Sequence, residues 1–268
     1  MKTISCLILP FILLLSTLAN ASPALSGGVW FNYRSVTSSG PGNLRDQETL
    51  GDVADEALVL YIDDAPEDKP WSFSGEVRFG PGSFTQPANN STGDNFAVHK
   101  SWINYKLNEQ QNIKVGKSQV PFGWKTANFW PGDILLAGYG DQMDVGIKLS
   151  SEQDALNYNL AYYHADDFGE LSTDTMDDNG HWGSSTTYRK VKTLVGDVSF
   201  DVNEQLSAGA SLQYGGLQDL TTAQQKVDGR HYAAVLYAHS TFDDISLKGQ
   251  LIAVNRDLPD SYKTTNGL

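Results

Sequence analysis

Eleven segments of this chain place apolar residues at every second position, and the stretches joining them alternate strictly between short and long. The clearest segment is 71–79, where Trp71, Phe73, Val77 and Phe79 share one parity and Ser72, Ser74, Glu76 and Arg78 the other. Comparable runs occupy 29–34, 96–107, 113–116, 144–149, 155–164, 188–202, 206–215, 231–242 and 245–255, and 56–62 adds a strand that is apolar on both parities. A period of two is the signature of extended chain with unlike faces, not of helix. The short connections are 63–70, 108–111, 150–154, 203–205 and 243–244. The long ones are 35–55, 80–95, 117–143, 165–187 and 216–230, followed by a tail from Arg256.

A soluble Greek-key sandwich has no reason to sort its connections by length, whereas a membrane-spanning antiparallel barrel has short turns on one side and long loops on the other. In lipid every backbone N–H and C=O must find a partner, so strands cross only as a closed barrel. Aromatic residues gather near both strand ends. Trp71, Tyr105, Tyr158, Phe200 and Phe242 lie by short turns, and Phe79, Tyr162, Tyr214 and Tyr232 by long ones, as in two interfacial girdles. The expected fold class is therefore all-β, an antiparallel transmembrane β-barrel with short periplasmic turns and long extracellular loops.

Composition agrees with that class. A mean hydropathy of −0.34 is too low for a bundle of spanning helices. Nineteen Lys and Arg against 32 Asp and Glu leave no basic footprint for nucleic acid. Met1-Lys2, an apolar run over 4–18 and Ala19-Asn20-Ala21 form a secretory leader with a small-x-small cleavage site. We expect residues 1–21 to be signal peptide and 22–268 to be the barrel, exported to a Gram-negative outer membrane. The single cysteine, Cys6, falls inside the leader, so the mature chain has no disulfide. The sequon at Asn90-Ser91-Thr92 is coincidental in a bacterial protein.

If the apolar parity faces lipid, the other parity lines the interior. That parity carries Arg34, Arg78, Lys100, Lys106, Lys114, Lys148, Arg189 and Lys248, against Glu76 and Asp197. A low-dielectric pore with this lining favours anions, unless loop carboxylates pair with the bases and only brace the wall. Lys190 and Lys192 flank Arg189 near the outer rim, where snorkelling explains them. The acids, by contrast, concentrate in loops and turns.

The connection 117–143 holds two clusters of aromatic residues with Pro or Gly, Pro121-Phe122-Gly123-Trp124 and Phe129-Trp130-Pro131-Gly132-Asp133. Such clusters favour a structured loop. Folded inward it would be a constriction, with Lys117, Pro121, Phe122, Gly123, Lys125, Trp130 and Asp133 as its candidate residues. Packed on the rim it would be a cap.

Here the chain resembles a known family. Val115-Gly116-Lys117-Ser118-Gln119-Val120-Pro121-Phe122-Gly123 is similar to the Val-Gly-x-x-x-x-Pro-Phe-Gly element of the phosphate-selective porin O and P family. Asp144-Val145-Gly146-Ile147-Lys148-Leu149 resembles the Asp-x-Gly-x-x strand that follows, and 156–162 resembles the next. The resemblance covers about 98–164 and implies a sixteen-stranded, trimeric outer-membrane channel for small anions or other small solutes. The family's Arg and Lys ladder does not map residue by residue, so phosphate selectivity does not carry over. Eleven strands and an ending at Thr264-Thr265-Asn266-Gly267-Leu268 lead us to expect an incomplete barrel, lacking about five C-terminal strands.

Two rival readings stand beside the channel. His164, Asp166 and Asp167 lie where rim proteases of outer-membrane barrels carry catalytic groups, and a general base needs a partner of this kind. The same residues also continue an acidic loop through Asp174, Asp177 and Asp178. A non-conducting adhesin or receptor barrel is the third class. No nucleophile elbow, phosphate-binding glycine loop or His-x-x-x-His spacing occurs, so we expect no enzyme activity, cofactor or resident metal. The expected partners are outer-membrane lipid and small, anionic solutes. Lipopolysaccharide would be bridged to loop carboxylates by divalent cations.

Overall fold

The computed structural model describes residues 23–34, 52–80, 96–123, 143–168, 188–261 and 263. Eleven strands form one antiparallel sheet in strict sequence order. They are β1 (Ala24–Arg34), β2 (Asp52–Asp64), β3 (Trp71–Phe79), β4 (Phe96–Lys106), β5 (Gln111–Gln119) and β6 (Met143–Gln153). The second half comprises β7 (Leu156–Ala165), β8 (Tyr188–Asn203), β9 (Leu206–Asp219), β10 (Val227–Phe242) and β11 (Ile245–Asp257). Among the described residues β1 and β11 are the edges of the sheet. The candidate leader 1–21 lies outside the described residues, as do Lys125, Trp130, Asp133, the sequon and Asp174 to Asp178.

All eleven expected strands are present, most of them longer than the alternation alone suggested. β8 and β10 each run for 16 residues, beyond the roughly 9–11 that cross a bilayer. The extra rungs at 216–219 and 227–230 are mixed, with Gln218, Asp219, Asp228 and Arg230 beside Leu217 and Val227, and backbone pairing continues there because a ladder does not need an unbroken apolar parity. The connection expected at 216–230 shrinks accordingly to 220–226. There the Asp219 carboxylate accepts hydrogen bonds from Thr221 N–H at 2.7 Å and Thr222 Oγ1 at 2.6 Å, closing the turn. At the opposite end Asp154 and Asp243 take positive φ of 44° and 49° in two-residue hairpins, a conformation Asp tolerates.

The sheet's outer surface is apolar along whole rows. Ile103, Val115, Ile147, Tyr162, Leu194, Tyr214 and Tyr232 pair consecutively from β4 to β10, and all seven are exposed. A continuous apolar band of that breadth exceeds what a water-facing monomer presents. It is the surface a barrel turns to hydrocarbon.

Glycines keep the register in the middle of the sheet. Gly116 has φ +124°, and a Cβ there would lie 2.3 Å from the Ser101 carbonyl oxygen. Only glycine permits β4 and β5 to approach this closely at that backbone conformation.

Candidate functional site

The inner surface can be followed along one row, Asn104–Lys114–Lys148–Ala161–Val195–Gln213–Ala233–Val254, from β4 to β11. It starts polar and basic and becomes mainly apolar at β7. Ala161, Tyr163, Val195, Ala233 and Val235 form a buried cluster with Val120 and Phe122, and Tyr237, Ile252 and Val254 pack against it. Val120 and Phe122 belong to neither β7 nor β10. They lie just beyond β5, so the chain leaving β5 runs across the inner face to the far wall.

The path of this hook follows from its sequence. Pro121 sits at the centre of a tight turn in which Phe122 N–H donates to the Val120 carbonyl at 3.0 Å, and its fixed φ suits such a turn. The Gln119 carbonyl accepts from Lys148 Nζ at 2.9 Å and from the Tyr163 hydroxyl at 3.0 Å. Phe122 is fully buried, which stabilises docking by roughly 1.5–3 kcal/mol. Gly123 follows with φ +68°, and a Cβ there would lie 2.8 Å from Gln250 Oε1. Its N–H donates to Ser211 Oγ on β9 at 2.9 Å.

Ser211 in turn donates to Asp197 Oδ1 at 2.6 Å. The Tyr237 hydroxyl donates to the same oxygen at 2.9 Å, and Asn159 Nδ2 to Asp197 Oδ2 at 3.1 Å. Asp197 is thus a carboxylate on the inner wall that accepts from β7, β9 and β10 at once. The parity of β8 marks it as inward; nothing in the sequence indicates its partners.

The roots of the hook are clamped by charge. Lys117 Nζ lies 3.1 Å from Asp167, just past β7, and Lys190 Nζ on β8 lies 3.4 Å from Asp144, at the start of β6. Arg189 Nη2 is 2.8 Å from Asp166. All six side chains are buried, and the set is neutral, three bases against three acids. Lys190 is therefore enclosed, rather than snorkelling at the rim as its sequence position suggested. Its carboxylate partner lies 46 residues away.

The remaining sequence candidates fall into groups. Arg78 is buried and pairs with Glu76 on its own strand at 2.7 Å. Lys114 lies over the Trp102 ring at 3.9 Å and Lys100 near the Tyr61 ring at 5.9 Å, contacts of the cation–π type. Lys106 is exposed at the turn end of β4, and Lys248 pairs in register with His239 on β10. Arg34 pairs in register with Asp52, and its side chain lies outside the described residues. His164 is exposed, while Asp166 and Asp167 are buried against Arg189 and Lys117. Both carboxylates are thus occupied by other bases, leaving the proposed rim pair without its acid. Among the described residues no group of three His, Cys, Asp or Glu could hold a metal ion.

No protein-family model matches the chain, and no curated protein matches it. Solved structures similar to it include a mutant of Rh. blastica porin, at 13% identity and a TM-score of 0.38 over 87% of this chain and 85% of that one. Pseudomonas aeruginosa OpdQ is similar at 15% identity and a TM-score of 0.36, over 87% of this chain and 61% of that one. Acinetobacter baumannii OccAB3 is similar at 13% identity and 0.32, over 87% and 66%.

Proposed function

We propose that the chain forms an outer-membrane porin, a water-filled channel for passive diffusion of small solutes in a Gram-negative cell, with 120–123 as part of its constriction. The observation that carries this reading is the hook itself. Val120 and Phe122 are buried across the inner face of a sheet whose outer face is an exposed apolar band. A soluble β protein would fill that inner face with a packed second layer, and an adhesin barrel has no need of an inward hook.

Anion preference is the finer part of the proposal. Arg78, Lys117 and Arg189 each face a carboxylate, so their fields are largely cancelled. The preference then rests on Lys100, Lys106 and Lys114, which have no ion pair to a carboxylate among the described residues. Fixed positive charge on a narrow wall lowers the entry barrier for anions and raises it for cations. Planar-bilayer recording tests both parts. Discrete conductance steps support the channel, and a reversal potential favouring chloride in a KCl gradient supports the preference. Cation selectivity would overturn the preference, and a silent bilayer the channel.

A further inference from the structure

We propose that Asp197 is the positioning residue of the constriction, holding the tip of the hook through Ser211. The proposal rests on the porin reading for its consequence and on the hydrogen-bond geometry for its substance. A serine hydroxyl has one proton and two lone pairs. In Ser211 the proton goes to Asp197 Oδ1 at 2.6 Å, a short bond because the acceptor is charged. That orientation turns the lone pairs toward Gly123, whose N–H arrives at 2.9 Å. Without the carboxylate the hydroxyl would be free to rotate and to present its hydrogen to the incoming N–H.

Asp197 is itself held from two further sides, by Tyr237 Oη at 2.9 Å and Asn159 Nδ2 at 3.1 Å. Asn159 also accepts from Ser150 Oγ at 2.7 Å through its Oδ1, which fixes which end of the amide faces Asp197. The relay therefore runs Ser150, Asn159, Asp197, Ser211, Gly123, from β6 across β7, β8 and β9 to the hook. Of the two inward acids that strand parity marks, Glu76 neutralises Arg78 on its own strand. Among the described residues Asp197 is engaged by neutral donors, so its charge serves orientation rather than ion pairing. Gly123 reinforces the assignment, since its φ of +68° and its approach to Gln250 and Val235 suit a tip that docks at one place.

Four variants and two measurements test the idea. Hydrogen exchange resolved at the Gly123 amide within 118–123 reads its bond to Ser211, and bilayer recording reads the constriction. Ser211→Ala and Asp197→Asn are expected to lose protection at Gly123 while β9 and β10 stay protected, and to raise single-channel conductance about twofold with added flicker. Ser211→Thr keeps the hydroxyl and restores both signals. Tyr237→Phe removes one of the two donors to Asp197 Oδ1 but keeps the ring and the Ser211 bond, and is expected to lower protection at Gly123 less than Ser211→Ala does. The proposal is overturned if Ser211→Ala keeps Gly123 protected, or if Asp197→Asn alters only ion selectivity, a pure field effect. Wild-type protein that fails to conduct while the exchange pattern holds would sink the porin reading and leave the relay standing.

Discussion

The inner surface of this sheet is two walls of opposite character. From β3 to β6 it carries Glu76, Arg78, Lys100, Trp102, Lys114 and Lys148, with Lys100 and Lys114 over or beside aromatic rings. From β7 to β11 it carries an apolar patch of Ala161, Val195, Ala233, Val235, Ile252 and Val254 beside the neutral-donor relay of Asn159, Asp197 and Ser211, and there the hook docks. The contrast shows how a single layer of strands can hold a loop inside itself. The apolar patch supplies the burial energy, while on the polar wall Glu76 and Arg78 are buried as an ion pair and Lys100 and Lys114 stay half-buried. Had both walls been basic, Phe122 would have had nowhere to bury. Had both been apolar, the interior would have collapsed on the hook.

Substitutions that separate the two walls should have effects of different size and kind. The largest is expected from the clamp at the hook's root. Lys117→Met removes the 3.1 Å ion pair to the buried Asp167, a loss of about 3–5 kcal/mol visible as a lower urea midpoint. A double variant with Asp167→Leu should recover most of that loss, because the buried pair is then replaced by apolar groups. Next comes Phe122→Ala on the apolar wall. Removing this fully buried ring should cost docking of the hook roughly the 1.5–3 kcal/mol its burial supplies, and hydrogen exchange should rise over 118–123 while the strands stay protected.

Val235→Asn should weaken the same docking by a smaller amount, since an amide set against Gly123 and the Val120–Phe122 cluster loses roughly 1–3 kcal/mol for want of a partner. The smallest structural effect belongs to the basic wall. Lys114→Gln should leave exchange and urea midpoint unchanged and move the reversal potential toward cations by a few millivolts, an order of magnitude set by losing one of several fixed charges. Equal structural damage from Lys114→Gln and Phe122→Ala would erase the distinction between the walls.

Strand number, order and inward parity were legible in the sequence because extended chain repeats every two residues and sheet faces differ in solvent. The outer row from Ile103 to Tyr232 could be assigned in the same way. The inward direction of the hook could not. Pro121 and Phe122 make a turn and an apolar point, but whether they cap the rim or enter the interior depends on an apolar surface at β8, β10 and β11, far along the chain. Strands such as 231–242 hinted at this with Ala233 and Val235 on the inward parity, where a strict alternation would place polar residues.

The charges divide in the same way. Local spacing placed Arg189 on the inward parity, Lys117 in the candidate constriction and Asp166 and Asp167 at the outer rim, and could not pair them, since the ion-pair partners are 23 or more residues apart. By itself the sequence determined an antiparallel sheet with an apolar outer face, because period, turn chemistry and connection length are local properties. Only the tertiary structure decided which bases are neutralised, where the hook lands and which carboxylate orients it. Those outcomes depend on distances between strands that the linear order does not contain.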